Sequence, residues 1–346
     1  MVPKITEVAS RCKYYMDNYD CVFTYVHNMG ETQAIIDPTD KVCRFCGKRY
    51  PEVRFKKKAH AISEMIGNKE FVLKNECDTC NSFFGQRLED DFGKYLGLGR
   101  TLSQIYGKEG VPSYKSRDGK SRIDFTDKGI VIQETENSGF TEQHENYMVI
   151  HAVRDAYTPM AVYKSLVKMA LSLISYEQMP YFIDTVDWLK EGSHIISKYD
   201  MDNYLNMIER YIPGPNPMQL RASGFIRKKG NISVPYYQFL LEFANYSYQI
   251  MVPCQEKDRY LAGHAIDFLA IPGTYEIGGI SFGNVTTKLK NMKQNTKIKD
   301  EPLDLYLAIE KYESYAGNGK SIDDLFNEEG IKLKKRLNIT PHPPLK

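Results

Sequence analysis

Residues 41–96 read KVCRFCGKRYPEVRFKKKAHAISEMIGNKEFVLKNECDTCNSFFGQRLEDDFGKYL. Two C-x-x-C pairs lie in this stretch, Cys43 with Cys46 and Cys77 with Cys80, and thirty residues separate the pairs. Each pair can present two thiolates to one tetrahedral ion at about 2.3 Å. The double spacing therefore predicts a four-cysteine zinc site. Such a site is structural, because four thiolates leave no open position for water.

The rest of the composition is that of an ordinary globular protein. Of the 346 residues, 42% are hydrophobic and 26% are charged, which excludes a disordered or low-complexity chain. We find no apolar leader at the N-terminus and no apolar run of about 18 residues, so we expect neither a signal peptide nor a membrane contact. We therefore expect a cytoplasmic protein, in which cysteine spacing indicates metal binding rather than disulfides.

The positive charge of the chain is concentrated in one segment. Residues 41–100 carry 13 basic and 8 acidic side chains, although the whole chain has a net charge of only +2. The basic side chains between the two cysteine pairs are the expected phosphate contacts. The candidate nucleic-acid-binding residues are Arg54, Lys56, Lys57 and Lys58. The alternative is that they form only a solvated charged face.

The pattern of apolar residues predicts an α+β fold. Apolar residues recur at helical spacing after the second cysteine pair, which predicts a helix over 79–96 that ends at the glycines 97 and 99. The period changes to two beyond residue 100, so we place a domain boundary near 105. We expect an N-terminal extension over 1–40 that packs on the module, a zinc-stapled module over 41–105, and a larger mixed α+β domain over 106–346.

Further helices and strands are predicted within the larger domain. Thr158 and Pro159 begin a helix that runs through Ile174, and a second helix is expected over 201–212. Four strands follow, the last of them HAIDFLAI over 264–271. The stretch LDLYLAIEKY over 303–312 is expected to return to helix.

Between and after the cysteine pairs lie the residues of a further motif. Lys58-Ala-His60-Ala-Ile-Ser-Glu64-Met-Ile-Gly67-Asn68 stands between them, and Asn81 follows the second pair directly. With the cysteines, this order resembles the zinc-knuckle branch of the HNH endonucleases over residues 40–96. The resemblance implies a ββα-metal fold, in which two strands and a helix hold one divalent ion, Mg²⁺ or Mn²⁺, over a phosphodiester.

The resemblance also implies roles for individual residues. His60 takes the place of the general base on the attacking water, and Asn81 takes the place of the metal ligand on the helix. A middle asparagine fixes the loop and orients the base. Asn75 is the candidate for this place, although the spacing does not distinguish it from Asn68.

The sequence departs from the family pattern at two positions. Ala59 stands where the family commonly has an acidic or histidine metal ligand, and Ser63 stands where it has proline. Glu64 is the candidate replacement ligand, because it lies near in sequence on the same element. The alternatives are a carboxylate within 89–91, His60 itself as ligand, or weak catalysis.

These observations predict a metal-dependent HNH endonuclease that hydrolyses DNA, with RNA as a possible substrate. Such a protein fits an effector of bacterial restriction or antiviral defence, acting as a homo-oligomer or with a partner protein. The alternative is a nucleic-acid-binding module that keeps the zinc and has lost its catalytic ion, as Ala59 suggests. In that case His60 is a core histidine and Asn81 only caps its helix.

Overall fold

The chain is described from a computed structural model. The structure describes residues 7–27, 34–38, 41–127, 129–135, 137–194, 204–214, 218–261, 263–264, 266–277, 283–309 and 324. Its contacts divide it into two compact units, one of Met1–Phe92 with Thr158–Lys297 and one of Gly93–Tyr157 with Ile298–Lys346. Both helices and sheets are present, as the sequence predicts.

The α-helices of the described residues are α1 (Val8–Asn18), α2 (Asp78–Phe84), α3 (Asp90–Leu96), α4 (Leu98–Leu102), α5 (Pro159–Leu173), α6 (Ile183–Lys190), α7 (Gln255–Asp258) and α8 (Thr274–Ile277). A π-helical turn, Gly85–Glu89, joins α2 to α3. Three 3₁₀ turns occupy Glu64–Ile66, Tyr176–Phe182 and Arg259–Leu261.

The strands of the described residues are β1 (Tyr19–Val26), β2 (Ala34–Ile35), β3 (Val72–Leu73), β4 (Tyr114–Lys115), β5 (Arg122–Thr126), β6 (Gly129–Gln133), β7 (Thr141–Gln143), β8 (Tyr147–Val153), β9 (Asn206–Tyr211), β10 (Met218–Arg227), β11 (Tyr237–Ala244), β12 (Tyr246–Val252), β13 (Thr286–Asn291) and β14 (Pro302–Ala308). The short strands β2 and β3 pair in parallel.

The first unit is built on a six-stranded antiparallel sheet in the order β1-β10-β11-β12-β9-β13. Helix α5 packs against β12, and every one of its residues is buried. The hydroxyl of Tyr163 donates to the Met251 carbonyl, and Tyr237 donates 3.0 Å to the Ala170 carbonyl. Two of the buried residues of α5 are lysines, Lys164 and Lys168. A helix that is buried on all sides needs partners for such polar side chains.

The second unit contains two three-stranded sheets, β4-β5-β6 and β14-β8-β7. Its apolar core is formed by alternate residues of the strands together with α4. The fully buried members are Leu98, Ile123, Phe140, Ile150 and Ala152.

The segment between the cysteine pairs has the ββα order that the resemblance implies. His60 pairs with Val72 in an antiparallel bridge, and the Ala61 N–H donates 2.9 Å to the Phe71 carbonyl. The Leu73 N–H donates 2.9 Å to the Ala59 carbonyl. The helix that begins at residue 78 follows at once, so a short hairpin and a helix frame the loop 62–70.

The helix predicted over 79–96 is confirmed as α2, the π turn and α3, and it ends where Gly97 adopts φ +45°. The helix predicted at 158–174 is confirmed as α5. The helices predicted over 201–212 and 303–312 are wrong. Strand β9 occupies 206–211 and strand β14 occupies 302–308. The strand predicted over 264–271 is not formed by its described residues.

The described helices contain none that is both long and apolar enough to cross a membrane. Each of the two units combines two separate stretches of the chain, and this division by contacts does not test the limits predicted at 40 and 105. The division into functional domains therefore stays a prediction.

Candidate metal centre and active site

The four predicted cysteines come together. The Sγ atoms of Cys43, Cys46, Cys77 and Cys80 all lie within 4.8 Å of one another, and those of Cys46 and Cys77 are 3.8 Å apart. Four sulfurs at about 2.3 Å from a central zinc ion are separated by roughly 3.8 Å along each edge of the tetrahedron. The residues therefore fit a structural zinc ion.

The electrostatics of the cluster also favour a cation. A hydrogen bond with the Cys80 side chain lowers the pKa of the Cys43 thiol to about 5, and burial raises the pKa of Cys77 to about 11. The Cys77 N–H points at the Cys43 sulfur at 3.4 Å, as expected for a thiolate acceptor. Buried thiolates this close repel one another unless a metal ion neutralises them.

Arg44, inside the first cysteine pair, holds that pair in place. Its Nη1 donates to the carbonyls of Leu171, Ser172 and Ile174 at 2.8, 2.9 and 2.9 Å, and its guanidinium pairs with Asp37. These carbonyls belong to the last turn of α5, which has no further helical donors for them. The first cysteine pair is therefore attached to the end of α5.

His60 is the predicted base, and its environment keeps the imidazole neutral. Burial lowers the pKa of His60 below its ordinary value of 6.5, although Glu64 and Glu89 oppose the shift. Its Nδ1 atom is buried and has no hydrogen-bond partner among the described residues, and it lies 4.0 Å from a carboxylate oxygen of Glu64. The structure thus brings His60 and Glu64 together at a distance that a bridging water or ion can span.

Glu89 is a second carboxylate beside the same loop. It lies at the end of the π turn, accepts a 2.5 Å hydrogen bond from the Ser63 hydroxyl, and is about one fifth exposed. A π turn inserts one extra residue per turn and re-aims the side chains that follow, and such turns are frequent at functional sites. The serine that departs from the family pattern is therefore the partner of this carboxylate.

The two candidates for the middle asparagine bind different groups. Asn68 is fully buried, its Nδ2 donates to the carbonyls of Ile62 and Phe71, and its Oδ1 accepts from the N–H groups of Glu70 and Phe71. These four bonds close the loop that follows His60. The hydrogen bonds therefore place Asn68 in the position of a loop-fixing residue.

Asn75 supports a different part of the module. Its Oδ1 accepts a 3.0 Å bond from the Asp37 N–H, and its Nδ2 donates 3.3 Å to the Val42 carbonyl. Both partners flank the first cysteine pair rather than the loop after His60. Asn75 therefore joins the zinc centre to residue 37.

Asn81 lies inside α2 and not at its beginning. The N-cap is Cys77, whose sulfur accepts from the Cys80 N–H, so the alternative that Asn81 only caps the helix is wrong. Its side chain is half-buried and forms no hydrogen bond within the described part of the chain. The carboxamide oxygen is thus available to a ligand.

The basic residues between the cysteine pairs lie beside the first residue of α2, Asp78. Asp78 accepts hydrogen bonds from the main-chain N–H groups of Lys56 and Lys57 at 2.9 and 2.8 Å, and the Lys57 ammonium donates to Ser82. All four candidates, Arg54, Lys56, Lys57 and Lys58, have exposed side chains. The basic segment is therefore fixed by its main chain while its charges face solvent.

Lys168 and Glu76 belong to the site and were not predicted from the sequence. Lys168 lies in α5, far along the chain, and its buried ammonium lies 3.0 Å from the buried carboxylate of Glu76 and 2.9 Å from the His60 carbonyl. No motif marks either residue. The only available signal was a charged residue within an apolar helical stripe, which indicates a buried ion pair.

The family model of the HNH endonucleases matches residues 43–96. This confirms the resemblance over that segment, which contains both cysteine pairs and His60, Asn68 and Asn81. No curated protein and no solved structure matches the chain.

Proposed function

We propose that the chain is a metal-dependent HNH endonuclease that hydrolyses phosphodiester bonds in DNA. The observation that carries this proposal is the state of His60, whose neutral, unpartnered Nδ1 faces Glu64 in a ββα unit braced by four cysteines. A general base has to be unprotonated at neutral pH and within reach of water, and a lowered pKa meets the first requirement.

Each residue of the unit has a separate task in this proposal. His60 takes the proton of the attacking water as that oxygen bonds to phosphorus and the bond to the leaving oxygen breaks. Asn68 fixes the loop that positions His60, which is the role first assigned to Asn75. Asn81 and Glu64 would hold a divalent ion, Mg²⁺ or Mn²⁺, which would supply positive charge against the charge that develops on the phosphate.

Two oxygen ligands suffice for such an ion, because Mg²⁺ keeps several waters and needs only one or two carboxylates from the protein. The exposed Arg54, Lys56, Lys57 and Lys58 are the proposed contacts to the flanking phosphates.

We propose a cytoplasmic effector of bacterial restriction or defence, with the chain outside the matched segment selecting the substrate or binding a second copy or a partner protein. RNA is the other nucleic acid that the basic segment can contact, because RNA carries the same negatively charged phosphates as DNA.

The test is cleavage of plasmid DNA with Mg²⁺ or Mn²⁺. We expect His60→Ala to lower the rate by about 10²-fold or more, the usual contribution of a general base. His144→Ala, which changes a histidine of the second unit, is the matched control and keeps the wild-type rate. A His60→Ala protein that cuts DNA as fast as the wild type contradicts the assignment.

Loss of zinc has to be separated from loss of chemistry. We expect Cys77→Ser to lose the zinc and to melt at lower temperature, because the binding free energy of a structural zinc ion contributes to folding. Cys21→Ser, which changes an exposed cysteine outside the cluster, keeps both the zinc and the melting temperature.

Ala59 favours a second candidate function, a nucleic-acid-binding module without a catalytic ion. Titration of Mn²⁺ into the zinc-loaded protein discriminates the two functions. An endonuclease binds a second metal ion near Asn81, and the Asn81→Ala variant loses that ion. A module that only binds nucleic acid takes up no second ion.

A further inference from the structure

Lys168 is a buried lysine that lies outside the segment matched by the family model. Helix α5 supplies it, and its side chain is 2% exposed. Burying an ammonium group in an apolar helix costs free energy unless the charge is paired and its donors are satisfied. The groups that satisfy Lys168 therefore indicate its role.

Among the described residues, the polar groups that contact the Lys168 ammonium all belong to the matched segment. Its Nζ donates 2.9 Å to the His60 carbonyl, lies 3.0 Å from an oxygen of Glu76, and lies 4.0 Å from an oxygen of Glu89. The rings of Phe45 and Phe84 have their centroids 6.0 Å from the same atom. The Lys168 ammonium thus binds the main chain of His60, pairs with Glu76 and lies near Glu89 at the end of the π turn.

The Lys168 ammonium reaches the His60 carbonyl on the side of the strand that faces away from Val72. The neighbouring residues Ala59 and Ala61 bond across to Leu73 and Phe71, so His60 and Val72 form a pair without mutual hydrogen bonds. The carbonyl of His60 therefore points away from the hairpin. Lys168 is the donor that meets it there.

We propose that Lys168 is a positioning residue of the active site. Its ammonium fixes the main chain of His60 and holds the Glu89 carboxylate beside the Ser63 hydroxyl, and the buried Glu76 balances its charge. The inference rests on the proposed function for its catalytic meaning, whereas the positioning of the His60 strand can be tested without cleavage. Displacing a catalytic group by about 1 Å can cost 10²-fold in rate.

The same helix provides a matched control. Lys164 lies one turn earlier in α5, is also fully buried, and donates to the carbonyls of Trp188 and Glu191 at 2.6 and 2.9 Å. Lys164→Met and Lys168→Met therefore each remove a buried ammonium and leave carbonyls without a donor. Only Lys168→Met removes a contact to the matched segment.

The first measurement is amide hydrogen exchange in the zinc-loaded protein. We expect Lys168→Met to accelerate exchange at the amides of Ala61 and Leu73, which hold the His60 strand, and Lys164→Met to leave both at the wild-type rate. The second measurement is DNA cleavage, for which we expect Lys168→Met to lower kcat by about 10²-fold with an unchanged KM. We expect Lys164→Met to keep the wild-type kcat under conditions in which the variant is folded.

The outcomes separate the positioning claim from the proposed function. Wild-type exchange at Ala61 and Leu73 in Lys168→Met overturns the inference, as does an equal loss of kcat in the two variants. If the wild type does not cleave DNA, the proposed function fails, and exchange alone decides whether Lys168 positions the strand. If Lys168→Met does not fold, Lys168→Arg and Lys164→Arg, which keep the charge and move the donors, are compared by the same two measurements.

Discussion

At the scale of single residues, sequence identifies the type of group better than its place in the site. The order of cysteines, His60 and Asn81 was sufficient for the resemblance, because each residue type is set by the chemistry of a ligand or base. Spacing could not choose between Asn68 and Asn75. That choice depends on which carbonyls and N–H groups the folded loop brings within reach, and these contacts have no signature in the sequence.

The bonds of Asn68 predict a stability effect. Asn68→Ala removes the bonds of this side chain to two N–H groups and to the Ile62 carbonyl of a buried loop, and it leaves the Phe71 carbonyl with the Ala61 N–H as its donor. Each buried polar group that loses its partner costs about 1–3 kcal/mol. Because the loop can relax, we expect a loss of about 2–4 kcal/mol in the free energy of unfolding, measured with urea. Asn81→Ala, whose side chain has no described hydrogen bond, changes stability by less than about 0.5 kcal/mol. An unchanged urea midpoint for Asn68→Ala contradicts the loop-fixing role.

His151 predicts a pH dependence within the second unit. Its hydrogen bond with Asp304, at 2.9 Å, raises the pKa of the exposed imidazole above 6.5, and Glu142 adds to the shift. A raised pKa in the folded state stabilises the protein below pH 6.5, and this contribution is lost as the pH rises through the folded pKa. In an NMR titration, Asp304→Asn lowers the pKa of His151, and high salt lowers it in the wild type because the pair is exposed. A pKa that Asp304→Asn leaves in place shows that the pair is not formed in solution.

At the scale of elements, prediction succeeded where periodicity and end signals agree. The helix over 78–96 combines an apolar stripe with terminal glycines, and α5 combines a stripe with Thr158 and Pro159 at its start. The stretch over 303–312 was misread because its composition favours helix. Its leucines at 303, 305 and 307 alternate with more exposed residues, and pairing with β8 selects the strand. The π turn was not predicted, and its residues Gly85–Glu89 pack against α5, a contact with a distant segment that local periodicity does not report.

The end of α5 carries a prediction about Arg44. Its guanidinium satisfies three terminal carbonyls and pairs with the buried Asp37, so Arg44→Met leaves those carbonyls without this donor and the carboxylate uncompensated. Breaking a buried ion pair from one side costs about 3–5 kcal/mol, and we expect a loss of that size in chemical denaturation. Arg49→Met, which changes an exposed side chain after the same cysteine pair, is the control and changes stability by less than about 0.5 kcal/mol. Equal effects of the two substitutions contradict the role of Arg44.

At the scale of the whole molecule, the limit predicted at 105 was placed at a change of period along the chain, and the limit at 40 at the start of the basic segment with the cysteine pairs. Periodicity reports the local backbone and carries no information on which distant segments bury one another. The first unit contains both the matched segment up to Phe92 and the sheet with α5. Two buried cations, Arg44 and Lys168, join these parts, and both bind groups more than a hundred residues away in sequence.

These contacts predict how an excised fragment behaves. A fragment of residues 41–105 retains the four cysteines. It lacks the three carbonyls that bind Arg44 and the Lys168 ammonium that pairs with Glu76. It also exposes the faces of Phe45 and Phe84 that lie near Lys168 in the full chain. A core this small depends on its metal, and zinc binding has to offset all three losses. We expect the fragment to bind one zinc ion and to lack cooperative thermal unfolding, measured by metal content, calorimetry and the dispersion of its amide NMR spectrum. The full chain under the same conditions unfolds cooperatively. A fragment that melts cooperatively with zinc establishes 41–105 as an independent domain, and it then follows that the contacts of α5 adjust the active site without being needed to fold it.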